Sequence, residues 1–180
     1  MTAQEYMLYA SSLFSLSDDE GRIDAVFESL EAIGRALSEN PEFITVLDAP
    51  NIERSERLAV LDEVFGTLDP YAVNFLKILC EKRSAGSFEN CRVYYSKLRD
   101  RKNNIEHITV TTAFPLSDEL RARLTEKLEA ERGKHIVPAF KVDKSILGGL
   151  VIEGEGSRTD ASVLSRLNAI KDRLLSGNKD

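Results

Sequence analysis

Few side chains in this 180-residue chain are of types that do chemistry, and their spacing limits what they could do. His107 and His135 are the only imidazoles, and neither has a Cys or a carboxylate at the intervals a zinc site uses. Cys80 and Cys91 fall in segments of helical periodicity, where two reduced core thiols fit better than a disulfide or a metal pair lacking further ligands. No serine stands in a G-x-S-x-G turn, and neither cysteine has a neighbouring histidine to activate it. Gly149 and Gly154 have the glycine spacing of a phosphate-binding loop, but Glu155 occupies the lysine position and would repel phosphates. Gly154-Glu155-Gly156 begins a dinucleotide-like fingerprint, yet Thr159 replaces its third glycine. The acidic run Asp18-Asp19-Glu20 reads as the first turn of a helix, where the dipole favours negative charge. The sequence therefore predicts no catalytic, cofactor-binding or metal-ligating residues. What remains is a binding protein, with a small enzyme built from sequence-distant residues as the distant rival.

Composition narrows the partners. The chain is 42% hydrophobic and 30% charged, the balance of a globular protein. A net charge of −6 argues against nucleic acid as its ligand. Residues 1–82 carry −10, residues 83–104 carry +4, and the remainder is balanced. That pattern suits either a solvated acidic bundle with one basic helix or a charged docking face. No run of about 18 apolar residues exists to insert into a membrane. The N-terminal stretch has neither the basic start of a secretory signal nor the arginines of a transit peptide, which predicts a cytosolic or already processed chain.

The elements that must position any site follow from periodicity. Residues 3–16 form a helix whose Tyr6, Tyr9, Ala10, Leu13, Phe14 and Leu16 share one wide arc. Ser17 and Glu20 read as a capping box for a second helix with Ile23, Val26, Phe27, Leu30, Ile33 and Leu37 on its buried side. Asn40-Pro41 starts a short third helix, and Asn51 caps a fourth that Gly66 closes. Asp69-Pro70 opens a fifth, in which only Asn74, Lys77 and Glu81 are polar, so it must be covered almost all round. A sixth starts near Phe88. At Ile105 the period changes to two, giving a strand through Thr112. Ser117 caps a helix that ends at Gly133, and a second strand holds Ile136, Phe140 and Val142. From Val142 onward the chain reads as a strand, a turn, a second strand, a glycine-loosened loop over 153–159, and a last helix from Ser162 to about Leu175 burying Val163, Leu167, Ile170 and Leu174. The expected fold is α+β: an all-α six-helix bundle over 1–104, then a small mixed α/β domain over 105–180. The first and fifth helices carry more apolar surface than simple packing needs. Either other bundle helices or a partner helix seated in a groove would cover it.

Several stretches resemble one family. Val142-Asp-Lys-Ser-Ile-Leu-Gly-Gly-Leu-Val-Ile152, with Asp160, Ser162 and Arg166-Leu167, resembles the C-terminal signature of the delta subunit of F-type ATP synthases, whose mitochondrial counterpart is the oligomycin sensitivity-conferring protein. Tyr9-Ala10 with Leu13-Phe14, the Asn74–Arg83 segment and Val110–Ser117 are similar to three further family segments. The resemblance implies a non-catalytic stator subunit, one copy per complex, lying peripherally on the cytoplasmic side of a bacterial plasma membrane. It implies that the first and fifth helices form a groove for the N-terminal helix of an alpha subunit. Carried onto this sequence, the groove positions are Tyr6, Tyr9, Ala10, Leu13, Phe75, Ile78 and Leu79. It implies also that the C-terminal domain meets the b subunits of the peripheral stalk, through Ile146, Leu147, Gly148, Gly149, Val163 and Leu167. An unrelated cytosolic helical adaptor is the alternative.

Overall fold

A computed structural model describes residues 1–154, 156–165 and 167. The chain divides into two compact units, Met1–Asp100 and Arg101–Asp180.

The first unit is helical. Its elements are α1 (Ala3–Asp19), α2 (Ile23–Glu39), α3 (Pro41–Asp48), α4 (Arg54–Phe65) and α5 (Pro70–Glu81), followed by α6 (Phe88–Lys102), which begins in this unit. The apolar positions spaced at three and four residues form one cluster, with Val26, Leu30 and Ile33 of α2 against Leu61, Leu76, Leu79, Phe88 and Tyr95. Asp69 caps α5 by accepting from Tyr71 N–H, with Pro70 in the first turn as its sequence requires.

Two helix starts differ from expectation. Ser17 does not cap α2. It lies fully buried inside α1, its hydroxyl 2.6 Å from that of Tyr95, so a tertiary hydrogen bond outweighs the local cap. The α1 helix stops instead at Gly21, whose φ of +66° lets Gly21 N–H reach Asp18 O and Arg22 N–H reach Ser17 O. The cap before α4 is Glu53 rather than Asn51, and its side chain makes no capping bond. Arg57 of α4 is buried, and among the described residues it takes part in no ion pair. Its guanidinium donates to Leu47 O at the end of α3 (2.7 Å) and Cys80 O at the end of α5 (3.2 Å), where unsatisfied carbonyls concentrate negative charge.

The second unit is built on a mixed four-stranded sheet in the order β2-β1-β3-β4. Strand β1 (Ile105–Thr112) pairs in parallel with β2 (His135–Val142) and antiparallel with β3 (Leu150–Gly154), which pairs antiparallel with β4 (Ser157–Asp160). The parallel pair requires a crossover, supplied by α7 (Asp118–Arg132). Ser117 caps α7 and Gly133 ends it in the left-handed region. Leu128 and Leu124 pack on Ile108, Val110, Ile136 and Ile152 to make the core of this unit. The stretch expected to be a loop after Ile152 forms a hairpin instead. Glu153 pairs with Arg158 and Gly154 with Ser157, although every β4 side chain is exposed. Backbone hydrogen bonds hold this edge strand together with the cross-strand ion pair of Arg158 and Glu153 at 3.2 Å, and a polar sequence is what an exposed edge tolerates. Val163–Ser165 and Leu167 are helical, and the remainder of the expected last helix, including Ile170 and Leu174, lies outside the described residues.

Candidate docking groove

Residues 9–16 of α1 and 71–78 of α5 leave an open groove of about 450 Å³ between them. Tyr9, Leu13 and Leu16 line one wall, Tyr71, Phe75 and Ile78 the other, and Ser12 and Asn74 are its polar members. Helical spacing puts these residues on one face of each helix. The wall residues are not equally available: Ile78 is 43% and Leu16 44% exposed, whereas Leu13 and Phe75 are nearly covered and form the floor.

Of the seven positions carried over for this groove, Tyr9, Leu13, Phe75 and Ile78 line it. Ala10 and Leu79 do not, because both are fully buried in the cluster beneath, where their side chains can touch nothing seated above. Tyr6 turns away to pack edge-on against Tyr94 of α6, ring centroids 6.4 Å apart. Leu16 and Tyr71 are groove residues absent from that set. The signal for each was in the spacing, since Leu16 follows Leu13 by three and Tyr71 precedes Phe75 by four. A near-complete cover of α5 was expected; the exposure of Ile78 shows that its bare strip runs through an apolar residue as well as Asn74 and Glu81.

The two ends of the groove differ in charge. At one end Lys82, just past α5, lies over the Tyr9 ring, 5.5 Å from its centroid, and its hydrogen bond to Tyr9 holds its pKa above the usual lysine value. Beyond Leu16 at the other end stand Asp19 and Glu20. Arg22 is also there, occupied by Asp69 at 2.7 Å and stacked on Tyr71.

In the second unit, the six positions carried over for the stalk side separate as well. Leu147 is 57% exposed, Val163 42% and Leu167 51%. Ile146 is a core residue at 9%, because the turn that throws Leu147 outward at φ +63° points Ile146 inward. Gly148 and Gly149 act through their backbone. Gly148 O accepts from Val163 N–H at 2.9 Å, and at Gly149, with φ +77°, a methyl group would collide with Ala161 O. Phe114 and Val142 are further apolar surface, exposed by 68% and 50%, although alternation grouped Val142 with the buried Ile136.

His135 Nδ1 lies 2.8 Å from Glu129, and among the described residues no three of His, Cys, Asp and Glu are grouped to hold a metal ion. Both cysteines are free and buried. Burial pushes the Cys91 thiol up to about 11, which leaves it a poor nucleophile.

The family model described as ATP synthase delta (OSCP) subunit matches residues 7–174. This chain belongs to that family. Among its relatives, the ATP synthase subunit delta of Acetivibrio thermocellus is 34% identical over 172 residues, spanning 93% of this chain and 95% of the relative. The ATP synthase subunit delta of Chlorobium phaeobacteroides is 31% identical over 169 residues, 93% of each. A chain of the Toxoplasma gondii mitochondrial ATP synthase hexamer shares the fold, with a TM-score of 0.68 at 21% identity over 94% of this chain and 97% of that one. As a delta-family member the chain is a non-catalytic stator component of an F-type ATP synthase, a peripheral part of a membrane complex. That membership sets aside both the unrelated adaptor and the small enzyme. No helix among the described residues is long and apolar enough to cross a membrane.

Proposed function

We propose that this subunit joins the catalytic head to the peripheral stalk through two separate surfaces. The helical region, read as a six-helix bundle over 1–104, receives the N-terminal helix of an alpha subunit in the groove between α1 and α5. The α/β domain over 105–180 meets the b subunits through exposed apolar residues that include Leu147, Val163 and Leu167. One copy per complex, on the cytoplasmic side of a bacterial plasma membrane, completes the reading. Its support is one observation above others: an open, mostly apolar groove of about 450 Å³ between α1 and α5, with Leu16 and Ile78 at its rim. A stator must hold while the rotor turns. Holding under torque needs slow dissociation, which packed apolar anchors supply and solvent-screened charges do not.

The test is titration calorimetry of the full chain with a peptide of the alpha N-terminal helix. Ile78→Asp puts a carboxylate where an apolar side chain would be covered, and should weaken binding by about tenfold or more. Equal affinity of the two proteins would remove the groove assignment. Leu147→Asp should in turn weaken capture by a peptide of the b C-terminal region and leave the alpha peptide unaffected.

A further inference from the structure

The groove has a direction written into its ends. Asp19 and Glu20 follow Leu16 by three and four residues, which continues the groove face of α1 by one turn. As the first turn of a helix they would be explained by its dipole. The structure puts them at the other pole: α1 ends at Asp19 with Glu20 as its C-cap and no basic residue in its last turn. There the helix dipole has its negative pole, so both carboxylates add negative charge to a negative end. Both are exposed, and among the described residues neither takes part in an ion pair. At the opposite end Lys82 follows Ile78 by four and continues the groove face of α5; Glu5 stands near it, and Glu81 is paired with Arg54 at 2.5 Å, so that end carries a cation where the other carries only unpaired carboxylates on its groove face.

We infer that the groove selects the orientation of its occupant by charge: an amphipathic helix lies with a lysine or arginine against Asp19 and Glu20 and a carboxylate toward Lys82. This rests on the groove reading above and adds to it. The apolar floor supplies the hold but is similar in both directions, since Tyr9 and Leu16 at its ends are each large and apolar. The charges break that symmetry. An occupant reversed end for end would bring like charges together at both ends, a penalty that falls on the wrong orientation alone.

The experiment uses the full chain and the alpha N-terminal helix peptide. Asp19→Asn with Glu20→Gln should weaken binding by about fivefold at low salt, the size expected of two exposed ion pairs. The same pair of changes should flatten the loss of affinity seen as salt rises. It should raise rather than lower the thermal midpoint, because it relieves the end of α1, so weaker binding cannot come from unfolding. A nitroxide on the basic end of the peptide should broaden the amide signals of Asp19 and Glu20 and spare Lys82. Broadening at Lys82, or an unchanged affinity and salt slope in the double variant while Ile78→Asp still abolishes binding, would overturn the orientation and leave the groove standing. Binding indifferent to Ile78→Asp would remove both.

Discussion

The hydroxyls of Ser17 in α1 and Tyr95 in α6 lie 2.6 Å apart in the core of the helical unit, joining residues 78 positions apart in the chain. Tyr95 also reaches Ile23 O at 3.2 Å, so one phenol ties α1, the start of α2 and α6. Burial pushes the Tyr95 pKa from 10.0 up to about 12. The folded state thus keeps the proton that the unfolded chain gives up. The resulting stability is intact below pH 10 and is lost as pH rises toward about 12. Urea titrations across that window should show the midpoint falling. Tyr95→Phe should flatten the fall and cost about 1 kcal/mol at neutral pH. An equally steep fall in the variant would assign the pH dependence to other groups.

Ile78 and Leu79 are neighbours in sequence with opposite fates. Ile78→Asp, on the groove rim, should leave the melt followed by circular dichroism within about 1 kcal/mol of the parent. Leu79→Asp puts a carboxylate into a site with no solvent access and should cost upward of about 4 kcal/mol, enough to unfold a marginal domain. Similar melts for the two would mean that the floor of the groove is not the core.

Arg57 should behave as a structural residue despite its charge. Arg57→Ala removes both donors from Leu47 O and Cys80 O and leaves a void where the side chain packed. A loss of about 2–4 kcal/mol is expected in urea denaturation, with Arg57→Met nearer the parent because it fills the space. A loss below about 1 kcal/mol would show that the two helix ends do not need the guanidinium.

Gly149 and Gly133 both have positive φ, +77° and +64°, but only Gly149 has a neighbour in the way. Gly133→Ala should cost about 1 kcal/mol from backbone conformation alone. Gly149→Ala should cost about 3 kcal/mol or more, since the chain at Ala161 must move as well. Hydrogen exchange should show the difference at the amides of Val151 and Ile152, with α2 unaffected in both.

Much of this was legible in the residues, and the reasons differ by element. Asp69-Pro70, Ser117 and Gly133 announced helix ends because their chemistry is local and each was used as local rules dictate. Ser17 did not, since its partner is Tyr95 and no local rule sees that far. The acidic run 18–20 was assigned to the wrong helix end for the same reason: moving the boundary past Ser17 carried the carboxylates from the start of α2 to the end of α1. The groove was half legible. Spacing marked α1 and α5 as over-apolar, the resemblance supplied the groove positions, and neither could separate Ile78, on the rim, from Leu79 beneath it, because both fit an apolar pattern on an almost wholly apolar helix. Polar β4 escaped the pattern altogether, because an edge strand needs no apolar alternation. Glu106 was unreadable too. It occupies a core-facing register of β1, and its burial depends on Arg132 and Lys134 arriving from the far end of α7.

The contact that fastens α3 to α5 is made of a guanidinium, two peptide carbonyls and the Cys80 thiol, which itself donates to Leu47 O at 3.3 Å. Burial holds that thiol above the ordinary thiol range, so it stays a protonated donor around neutrality. A swing in acidity around neutrality therefore leaves the fastening of α3 to α5 as it was.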